Sequence, residues 1–267
     1  MKVITAVVNN PKFIELQYHS LKQYMPCDYE YIVFNDAKDF PDFTNGNDIT
    51  IKKQIEDICL KYNIKCINIP NQHHRYNLIA ADRTADSMNT ILMYQKQNPD
   101  EYLLLDSDMF PIDTIDINKY RNYHCAIVLE HRNFNNTDIY YLWNGIYYFN
   151  LFKMENFDTI CWNRFINSDT GGMTFIWCIK YLEKYENKLS EKIFFIEHKS
   201  SGTWDETESP KCVLKNEKIL NFLRNDPRNT NNKFFCEIYD DCFFHYRAGG
   251  NWNGEGLKFH NNLIKAL

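Results

Sequence analysis

The first 112 residues alternate between short apolar runs and amphipathic segments, and this alternation constrains the fold more than any other feature. Residues 2–8 are rich in β-branched side chains and predict a buried strand. Pro11 can begin a helix, because the first helical position needs no N–H donor. Strands that alternate with helices at short spacing indicate a βαβ sheet with right-handed crossovers. The pattern continues with strands predicted at 29–34, 65–69 and 102–105 and with helices predicted at 51–62 and 76–97.

The second half of the chain is less regular, but it continues the α/β pattern without a repeat or a low-complexity linker. The strand predicted at 145–149 is hairpin-like or antiparallel, and the aromatic segment 234–244 reads as one strand. The other predicted elements are strands at 125–129 and 194–197, a helix at 172–185 and a polar turn region at 225–233.

Composition narrows the class of protein. Of 267 residues, 44% are hydrophobic and 16% aromatic, which is typical of a globular chain with a packed core. The net charge of −5 argues against broad nucleic-acid binding, which needs a basic face. No apolar run is long enough to span a bilayer, and no signal peptide is recognisable at the start, so we expect a cytoplasmic protein. Nine cysteines are scattered singly without a Cys-x-x-Cys pair, which favours reduced thiols.

An apolar run ends abruptly in two carboxylates, Asp106 and Asp108, which flank Ser107. Alternate side chains of an extended segment lie on the same face, so both acids can converge just past the predicted strand Tyr102–Leu105. Ligands of open α/β sheets bind beyond the carboxyl ends of the strands. Oxygen ligands favour a hard divalent ion such as Mg²⁺ or Mn²⁺. Asp-x-Asp also occurs in ordinary surface turns, but its position after a strand predicts a metal site that holds a phosphorylated ligand.

Polar residues follow other predicted strands. The first strand ends in Asn9 and Asn10, and the second in Asn35 and Asp36. Such side chains can read the edge of a nucleobase, or they can simply cap helices and turns. Arg83 lies on the helix before the Asp-x-Asp strand, where it either binds a phosphate or a sugar hydroxyl or is an exposed helix charge.

Three later segments place polar groups beside glycines, which permit tight backbone turns. The segments are 143–145 (Trp-Asn-Gly), 169–172 (Asp-Thr-Gly-Gly) and 243–252. In the last of these, His245 is followed closely by Arg247 and a glycine pair, which favours a metal ligand beside a phosphate-binding loop over a purely structural histidine. Four aromatic residues could form a stacking platform for a sugar, or they could be ordinary core packing: Tyr140, Tyr141, Trp143 and Trp204.

Taken in order, these motifs make the chain resemble nucleotide-sugar-dependent glycosyltransferases of the GT-A fold, and most closely their glycogenin-like and lipopolysaccharide galactosyltransferase-like branch. The resemblance runs over nearly the whole length. It implies a single GT-A-type, Rossmann-like α/β domain over residues 1–267, with a mixed, mostly parallel central sheet flanked by helices. Residues 1–112 would be the nucleotide-binding half, and residues 113–267 would carry the acceptor site and a C-terminal metal and diphosphate loop.

The resemblance also implies roles for individual residues. The metal, Mn²⁺ or Mg²⁺, would be bound by Asp106, Asp108 and His245. The catalytic group would comprise Asp169, Thr170 and Asn144, with Asp169 aligning the sugar or acting as base. The nucleotide-sugar donor, expected to be UDP-linked, would be bound by Asn9, Asn10, Asn35, Asp36, Arg83, Asp106, Ser107, Arg247, Gly249, Gly250 and Trp252.

The expected partners are thus a nucleotide sugar and a glycan or protein acceptor. Thr170 stands where the glycogenin-like branch has glutamine, and Trp252 lacks the preceding lysine of that branch, so the anomeric outcome and the donor sugar stay open. One alternative is a haloacid-dehalogenase-like phosphatase, although that class has its Asp-x-Asp near the chain start. A second alternative is a nucleotidyltransferase, but this chain does not have the Gly-rich N-terminal signature of that class. The non-enzymatic alternative is a catalytically inactive, glycan-binding relative.

Overall fold

Four parallel strands form one side of the large sheet in the computed structural model, which describes residues 1–41, 48–76, 79–134, 136–166, 168–185, 188–249 and 255–267. The strands pair in the order β3-β2-β1-β4, and helices connect them. The strands are β1 (Lys2–Val7), β2 (Glu30–Asn35), β3 (Lys65–Asn68) and β4 (Glu101–Leu105). The helices are α1 (Pro11–Tyr24), α2 (Ile51–Lys61), α3 (His73–Tyr76) and α4 (Ala80–Gln97).

The second half of the chain extends the same sheet. The long strands β6 (Cys125–Phe134) and β7 (Thr137–Asn150) form an antiparallel hairpin, β7 pairs antiparallel with β4, and β8 (Ile193–Phe195) pairs parallel with β6. Among the described residues this gives seven strands, with four parallel and two antiparallel pairings. The predicted fold class, an α/β domain with a mixed, mostly parallel central sheet flanked by helices, is confirmed.

A smaller sheet carries the later part of the chain back to the Asp-x-Asp segment. Its strands are β5 (Met109–Pro111), β9 (His198–Lys199), β10 (Glu237–Tyr239) and β11 (Phe243–His245), and their order is β5-β11-β10-β9. In this register His245 lies opposite Met109, the residue directly after Asp108. The remaining helices are α5 (Ile117–Arg121), α6 (Phe175–Tyr185), α7 (Leu189–Lys192), α8 (Lys211–Leu214), α9 (Glu217–Arg224) and α10 (Glu255–Ala266).

Both faces of the large sheet are buried, because helices cover each side. Adjacent residues of β1 therefore enter different cores: Val3 packs in one cluster and Ile4 in the other, and neither is exposed. A third cluster, which includes Phe110 and Phe244, lies beneath the smaller sheet. None of the helices described is both long and apolar enough to cross a bilayer.

Some predicted boundaries are wrong. The aromatic segment 234–244 is two strands, because Asp240 and Asp241 adopt left-handed φ angles of 49° and 54° and turn the chain. The long helix begins at Ala80 instead of residue 76, and α3 is a separate element before it. The predicted helix at 172–185 starts with a 3₁₀ turn at Gly172–Thr174. The antiparallel direction predicted for 145–149 is confirmed, although β7 already starts at Thr137.

Candidate metal centre

The Asp-x-Asp segment forms a short turn between β4 and β5, and a buried glutamine of α1 holds this turn in place. The side-chain amide of Gln17 donates to the main-chain oxygens of Asp106 (2.9 Å) and Met109 (2.6 Å). Tyr31 donates to the Gln17 carbonyl at 2.6 Å. The turn is held from the β1 side as well, because the amide of Asn10 donates to Ser107 Oγ at 2.9 Å.

Sequence reasoning missed Gln17. The available signal is its place on the apolar stripe of α1, one turn from the fully buried Phe13 and Leu21. A polar side chain buried on such a stripe needs hydrogen-bond partners, and here they are the main-chain groups of the carboxylate turn.

Asp106, Asp108 and His245 come together although the histidine is far along the chain. Each offers one ligand atom, and these three atoms lie within 4.8 Å of one another. His245 Nε2 is 3.1 Å from Asp108 Oδ1, across 137 residues of sequence. The main-chain N–H of Gly249 donates to Asp108 Oδ2 at 2.8 Å. A Cβ at Gly249 would lie 2.8 Å from both the Cβ and Oδ2 of Asp108, so only glycine allows this approach.

The other ring nitrogen of His245 is held by Glu237, which sequence reasoning also missed. His245 Nδ1 is 2.9 Å from Glu237 Oε2, and Tyr239 donates to the same oxygen at 3.0 Å. The main-chain N–H of Ser201 donates to Glu237 Oε1 at 3.2 Å. A carboxylate that accepts from Nδ1 leaves Nε2 to face a metal. The signal in the sequence is the single acid in the otherwise apolar and aromatic run 234–239.

The buried charges of this cluster perturb one another. Burial and the neighbouring charge of Asp108 raise the pKa of Asp106 to about 6. Burial alone would raise the pKa of Asp108, but the charge and hydrogen bond of His245 hold it below its ordinary value. Burial opposes protonation of His245, yet the charge of Asp108 and hydrogen bonds to Asp108 and Glu237 raise its pKa to about 10. The cluster therefore attracts positive charge, either a proton or a cation.

The tight turn predicted at 143–145 is wrong, because these residues lie within β7, but Gly145 makes room there for an aromatic ring beside His245. Trp143 stacks on Tyr239 with ring centroids 4.9 Å apart, and it meets His245 edge to face at 5.5 Å. A Cβ at Gly145 would come within 2.1 Å of the Trp143 ring. The lack of a side chain at Gly145 thus allows Trp143 to pack against the candidate metal ligand.

A cavity of about 900 Å³ opens at the carboxyl edge of the parallel strands, above this cluster. Most of the site residues predicted from the sequence line it. They are Asn9, Asn10, Asp36, Arg83, Asp106, Ser107, Asp108, Asn144, Asp169, Thr170, His245, Arg247 and Gly249. Gly250 and Trp252 lie outside the described residues.

Asn35 was predicted to contact a base, but the structure does not place it at the cavity lining. Its amide donates to the main-chain oxygen of Lys52 at 3.1 Å, and its carbonyl accepts from the N–H of Ala37 at 3.1 Å. The side chain points between β2 and α2 because alternate residues of a strand face opposite sides, and Asp36 is the neighbour that reaches the cavity.

The predicted catalytic residues differ in their surroundings. Asp169 is exposed and lines the cavity, and its Oδ1 accepts from the N–H of Thr170 at 2.8 Å. Thr170 is buried, and its hydroxyl donates to the main-chain oxygen of Ala81 at 2.7 Å. Asn144 is half-buried at the lining.

The four candidate platform aromatics separate into different environments. Tyr141 and Trp143 line the cavity, whereas Tyr140 stacks on His131 and is 46% exposed. Trp204 is a core residue, since it is 1% exposed and its indole N–H donates to the main-chain oxygen of Cys236.

The segment after His245 has an unusual backbone. Arg247 and Ala248 both adopt left-handed φ angles, 62° and 56°, which residues with a Cβ rarely do. The Arg247 main-chain oxygen accepts from Arg228, and the Arg247 Nε lies 3.9 Å from Glu237 Oε1. The turn brings the Gly249 N–H onto Asp108, and it keeps the Arg247 side chain exposed at the cavity.

No protein-family model matches the chain, and no curated protein matches it. Among solved structures, the galactosyltransferase LgtC in complex with donor and acceptor sugar analogues matches at 12% identity over 99% of this chain and 96% of LgtC, with a TM-score of 0.44. An active-site mutant of LgtC gives the same values. The bifunctional glycosyltransferase WbbM matches at 11% identity over 60% of this chain and 33% of WbbM, with a TM-score of 0.39.

These structures belong to the class of enzymes that the sequence resembles, the lipopolysaccharide galactosyltransferase-like branch included.

Proposed function

We propose that the protein is a metal-dependent glycosyltransferase that moves a sugar from a nucleotide sugar, with UDP as the nucleotide, to a hydroxyl group of a glycan or protein acceptor. The observation that carries the proposal is the convergence of Asp106, Asp108 and His245 at the floor of a large cavity at the carboxyl edge of the parallel strands. Such an edge is where α/β domains bind nucleotides.

The donor set fits a divalent ion. Two carboxylates and one imidazole suit Mn²⁺, and Mg²⁺ less well, because imidazole is a softer ligand than oxygen. Because Gly249 has no side chain, its main-chain N–H can come close enough to donate to Asp108 Oδ2. Glu237 orients the imidazole of His245. A cation held by these residues would neutralise the negative charge that develops on a departing nucleoside diphosphate.

The chain supplies its own positive charge and nucleotide contacts around the cluster. Arg83 and Arg247 line the cavity and can form charge-assisted hydrogen bonds with phosphate oxygens. Asn9 lies beyond the end of β1, where a base edge can be read, whereas the carboxylate of Asp36 is already held by His73, His74 and Ser87. The cavity volume of about 900 Å³ is within the range of ligand sites and is large enough for a nucleotide sugar.

Asp169 is the residue assigned to orient the sugar or to accept the proton of the acceptor hydroxyl. It is exposed to the cavity, as a base must be to reach its proton donor. The hydroxyl of Thr170 already donates to Ala81, so its part is to position Asp169 through the neighbouring main chain. Trp143, which is half-buried at the cavity lining, offers aromatic surface to an acceptor sugar, whereas Tyr141 is fully buried.

The two main alternatives fit the site less well. A phosphatase of the haloacid-dehalogenase type has its Asp-x-Asp near the chain start with Thr or Val two residues on, whereas here the motif follows β4 and Phe110 occupies that place. A glycan-binding relative without activity has no need of a buried cluster of two acids and a histidine, since buried charge is destabilising unless it is used or paired.

A thermal-shift panel of nucleotides with and without Mn²⁺ tests the proposal. A ligand that binds only the native state stabilises it by about 2.7 kcal/mol at 100 times its Kd. We expect UDP to raise the melting temperature more than GDP does, and only when Mn²⁺ is present. Equal stabilisation by UDP in EDTA would contradict the metal bridge, and no response to any nucleotide would overturn the proposal. Release of UDP from candidate UDP-sugars in the presence of an acceptor then measures turnover directly.

A further inference from the structure

A second cluster of metal-binding residue types lies at the end of β2, away from the Asp-x-Asp turn in sequence. It joins three elements, because Asp36 follows β2, His73 and His74 begin α3, and Ser87 lies on α4. The side chains of Asp36, His73 and His74 are only 2%, 8% and 3% exposed. The proposed transferase mechanism gives no role to the two histidines.

The three side chains converge on one point. His73 Nε2 is 3.1 Å from each carboxylate oxygen of Asp36, and His74 Nε2 is 3.2 Å from Asp36 Oδ2. Each residue offers one ligand atom, and these atoms lie within 4.8 Å of one another. Ser87 Oγ donates to Asp36 Oδ2 at 2.6 Å and fixes the orientation of the carboxylate.

The hydrogen bonds within the cluster leave two of its buried polar atoms without a partner among the described residues. His73 Nε2 lies 3.1 Å from Asp36 Oδ1 but forms its hydrogen bond with Oδ2, so Asp36 Oδ1 and His74 Nδ1 are buried without a hydrogen-bond partner in the part of the chain that the structure describes. His74 Nε2 lies 2.9 Å from the main-chain oxygen of Asp36, so its N–H is directed there in the absence of a cation. A buried carboxylate oxygen without a hydrogen bond destabilises the folded state, and a bound cation would remove that cost.

We propose that Asp36, His73 and His74 form a second metal site, distinct from the Asp106–Asp108–His245 centre, which binds Zn²⁺ or a similar borderline transition-metal ion. Around a tetrahedral ion with bonds of about 2.0 Å, ligand atoms are about 3.3 Å apart. The nitrogen–oxygen separations of 3.1–3.2 Å already approach this value. Two imidazoles and one carboxylate are also the ligand set of zinc sites that keep one position open.

The fourth coordination position of the proposed site faces the large cavity. Asp36, His74 and Ser87 line the large cavity, so water or a group of a bound ligand would complete the coordination there. The ion would tie α3 to the end of β2 and thereby stiffen one wall of the cavity. This site does not depend on sugar transfer, since it is defined by its own ligands.

Titration of the purified full-length protein with Co²⁺ alone tests the proposal, because tetrahedral Co²⁺ has much more intense visible absorption than octahedral Co²⁺. The double variant Asp106→Asn/Asp108→Asn removes the first centre. We expect it still to bind about one equivalent of Co²⁺ with the intense absorption, and Zn²⁺ to displace that ion.

A graded set of variants assigns the ligands. His73→Ala and His74→Ala should each lose more than the about 10–100-fold in Co²⁺ affinity that removal of an outer-shell partner causes, and Ser87→Ala should fall within that range. His131→Ala is the matched control, since His131 pairs with Asp138 on the surface and should change nothing. Circular dichroism of each variant checks that it is folded.

Failure of the wild-type protein and of the double variant to show a tetrahedral Co²⁺ signal would overturn the second site, as would a signal that persists in folded His73→Ala and His74→Ala proteins. Either result leaves Mn²⁺-dependent UDP binding untouched. Conversely, loss of the nucleotide response with an intact Co²⁺ signal would overturn the proposed transferase alone.

Discussion

The two acid–histidine clusters use the same residue types in opposite ratios. The first has two carboxylates and one imidazole, in Asp106, Asp108 and His245, whereas the second has Asp36 with His73 and His74. Carboxylate-rich sites suit Mg²⁺ and Mn²⁺, and imidazole-rich sites suit Zn²⁺. We therefore infer that two ions of different preference can bind along one cavity.

The clusters also differ in how the fold supports them. His245 is oriented by a buried carboxylate, Glu237, which is itself held by two donors. In the second cluster, the Asp36 carboxylate accepts from the hydroxyl of Ser87, and His74 Nδ1 has no hydrogen-bond partner among the residues that the structure describes. The first site is therefore preorganised more completely than the second.

The largest effect is expected from Asp108→Asn, which removes a charged ligand of the first cluster. Mn²⁺ affinity should fall by more than the about 10–100-fold of an outer-shell change, and UDP-sugar turnover should be lost. Isothermal titration with Mn²⁺ measures the affinity. Asp36→Asn is the matched control and should keep Mn²⁺ binding while it loses the Co²⁺ signal. If both variants weaken both ions equally, the two clusters are not separate sites.

Glu237→Gln should have the next largest effect. The amide keeps the shape of the carboxylate but withdraws the charge that supports His245, so we expect about 10–100-fold weaker Mn²⁺ binding. Glu130→Gln serves as control, because Glu130 lines the same cavity but pairs with Arg132. Unchanged Mn²⁺ affinity in the Glu237 variant would show that the support of His245 is dispensable.

The pH dependence of Mn²⁺ binding follows from the raised pKa values of His245, about 10, and Asp106, about 6, in the metal-free protein. Both groups must lose a proton to bind the ion, so affinity rises with pH. We expect the Mn²⁺ affinity to rise about tenfold per pH unit between pH 7 and 8, where only His245 releases a proton on binding. Below pH 6 the affinity should rise more steeply with pH, because Asp106 also releases a proton there.

Mn²⁺ titrations at several pH values measure these slopes. In Asp106→Asn the steeper part below pH 6 should disappear, although the overall affinity falls. A Mn²⁺ affinity that does not change with pH would refute the protonated state of the metal-free cluster.

The smallest effect on metal binding is expected from Gln17→Met, which replaces the support behind the turn instead of a ligand. The main-chain oxygen of Met109 would lose a donor and the buried Tyr31 hydroxyl would lose its acceptor, at about 1–3 kcal/mol of unfolding free energy per unsatisfied group, whereas the Asp106 oxygen keeps the N–H of Met109. Urea unfolding measures this loss. Gln23→Met on the exposed side of the same helix should leave stability unchanged. A stable Gln17 variant would mean that water replaces the amide.

Much of the architecture could be predicted from local pattern. The strands β1, β2 and β4 and the helix α1 are visible in the sequence, because buried parallel strands are continuous apolar runs and Pro11 marks a helix start. The strand predicted at 234–244 is interrupted by Asp240 and Asp241, whose residue type is depleted in strands and tolerates the left-handed conformation, so this turn had a local signal that the prediction overlooked.

The candidate site divides in the same way. Asp106 and Asp108 are recognisable from their place after an apolar run, and His245 from its glycine-rich neighbours. Gln17 and Glu237 were missed, because their importance lies in hydrogen bonds to residues 89 and 8 positions away, respectively. In the sequence, Asn35 and Asp36 looked equivalent. In the structure, the side chain of Asn35 contacts α2, whereas that of Asp36 lies at the cavity lining.

By itself, the sequence determined the alternation of strands and helices, the globular character and the carboxylate pair, because these depend on side-chain chemistry over a few residues. The tertiary structure alone decided that His245 reaches Asp108 across 137 residues, that Glu237 lies behind it, and that His73 and His74 meet Asp36. The physical reason is that burial makes partners obligatory for polar and charged groups, and packing of distant elements determines which partners they find.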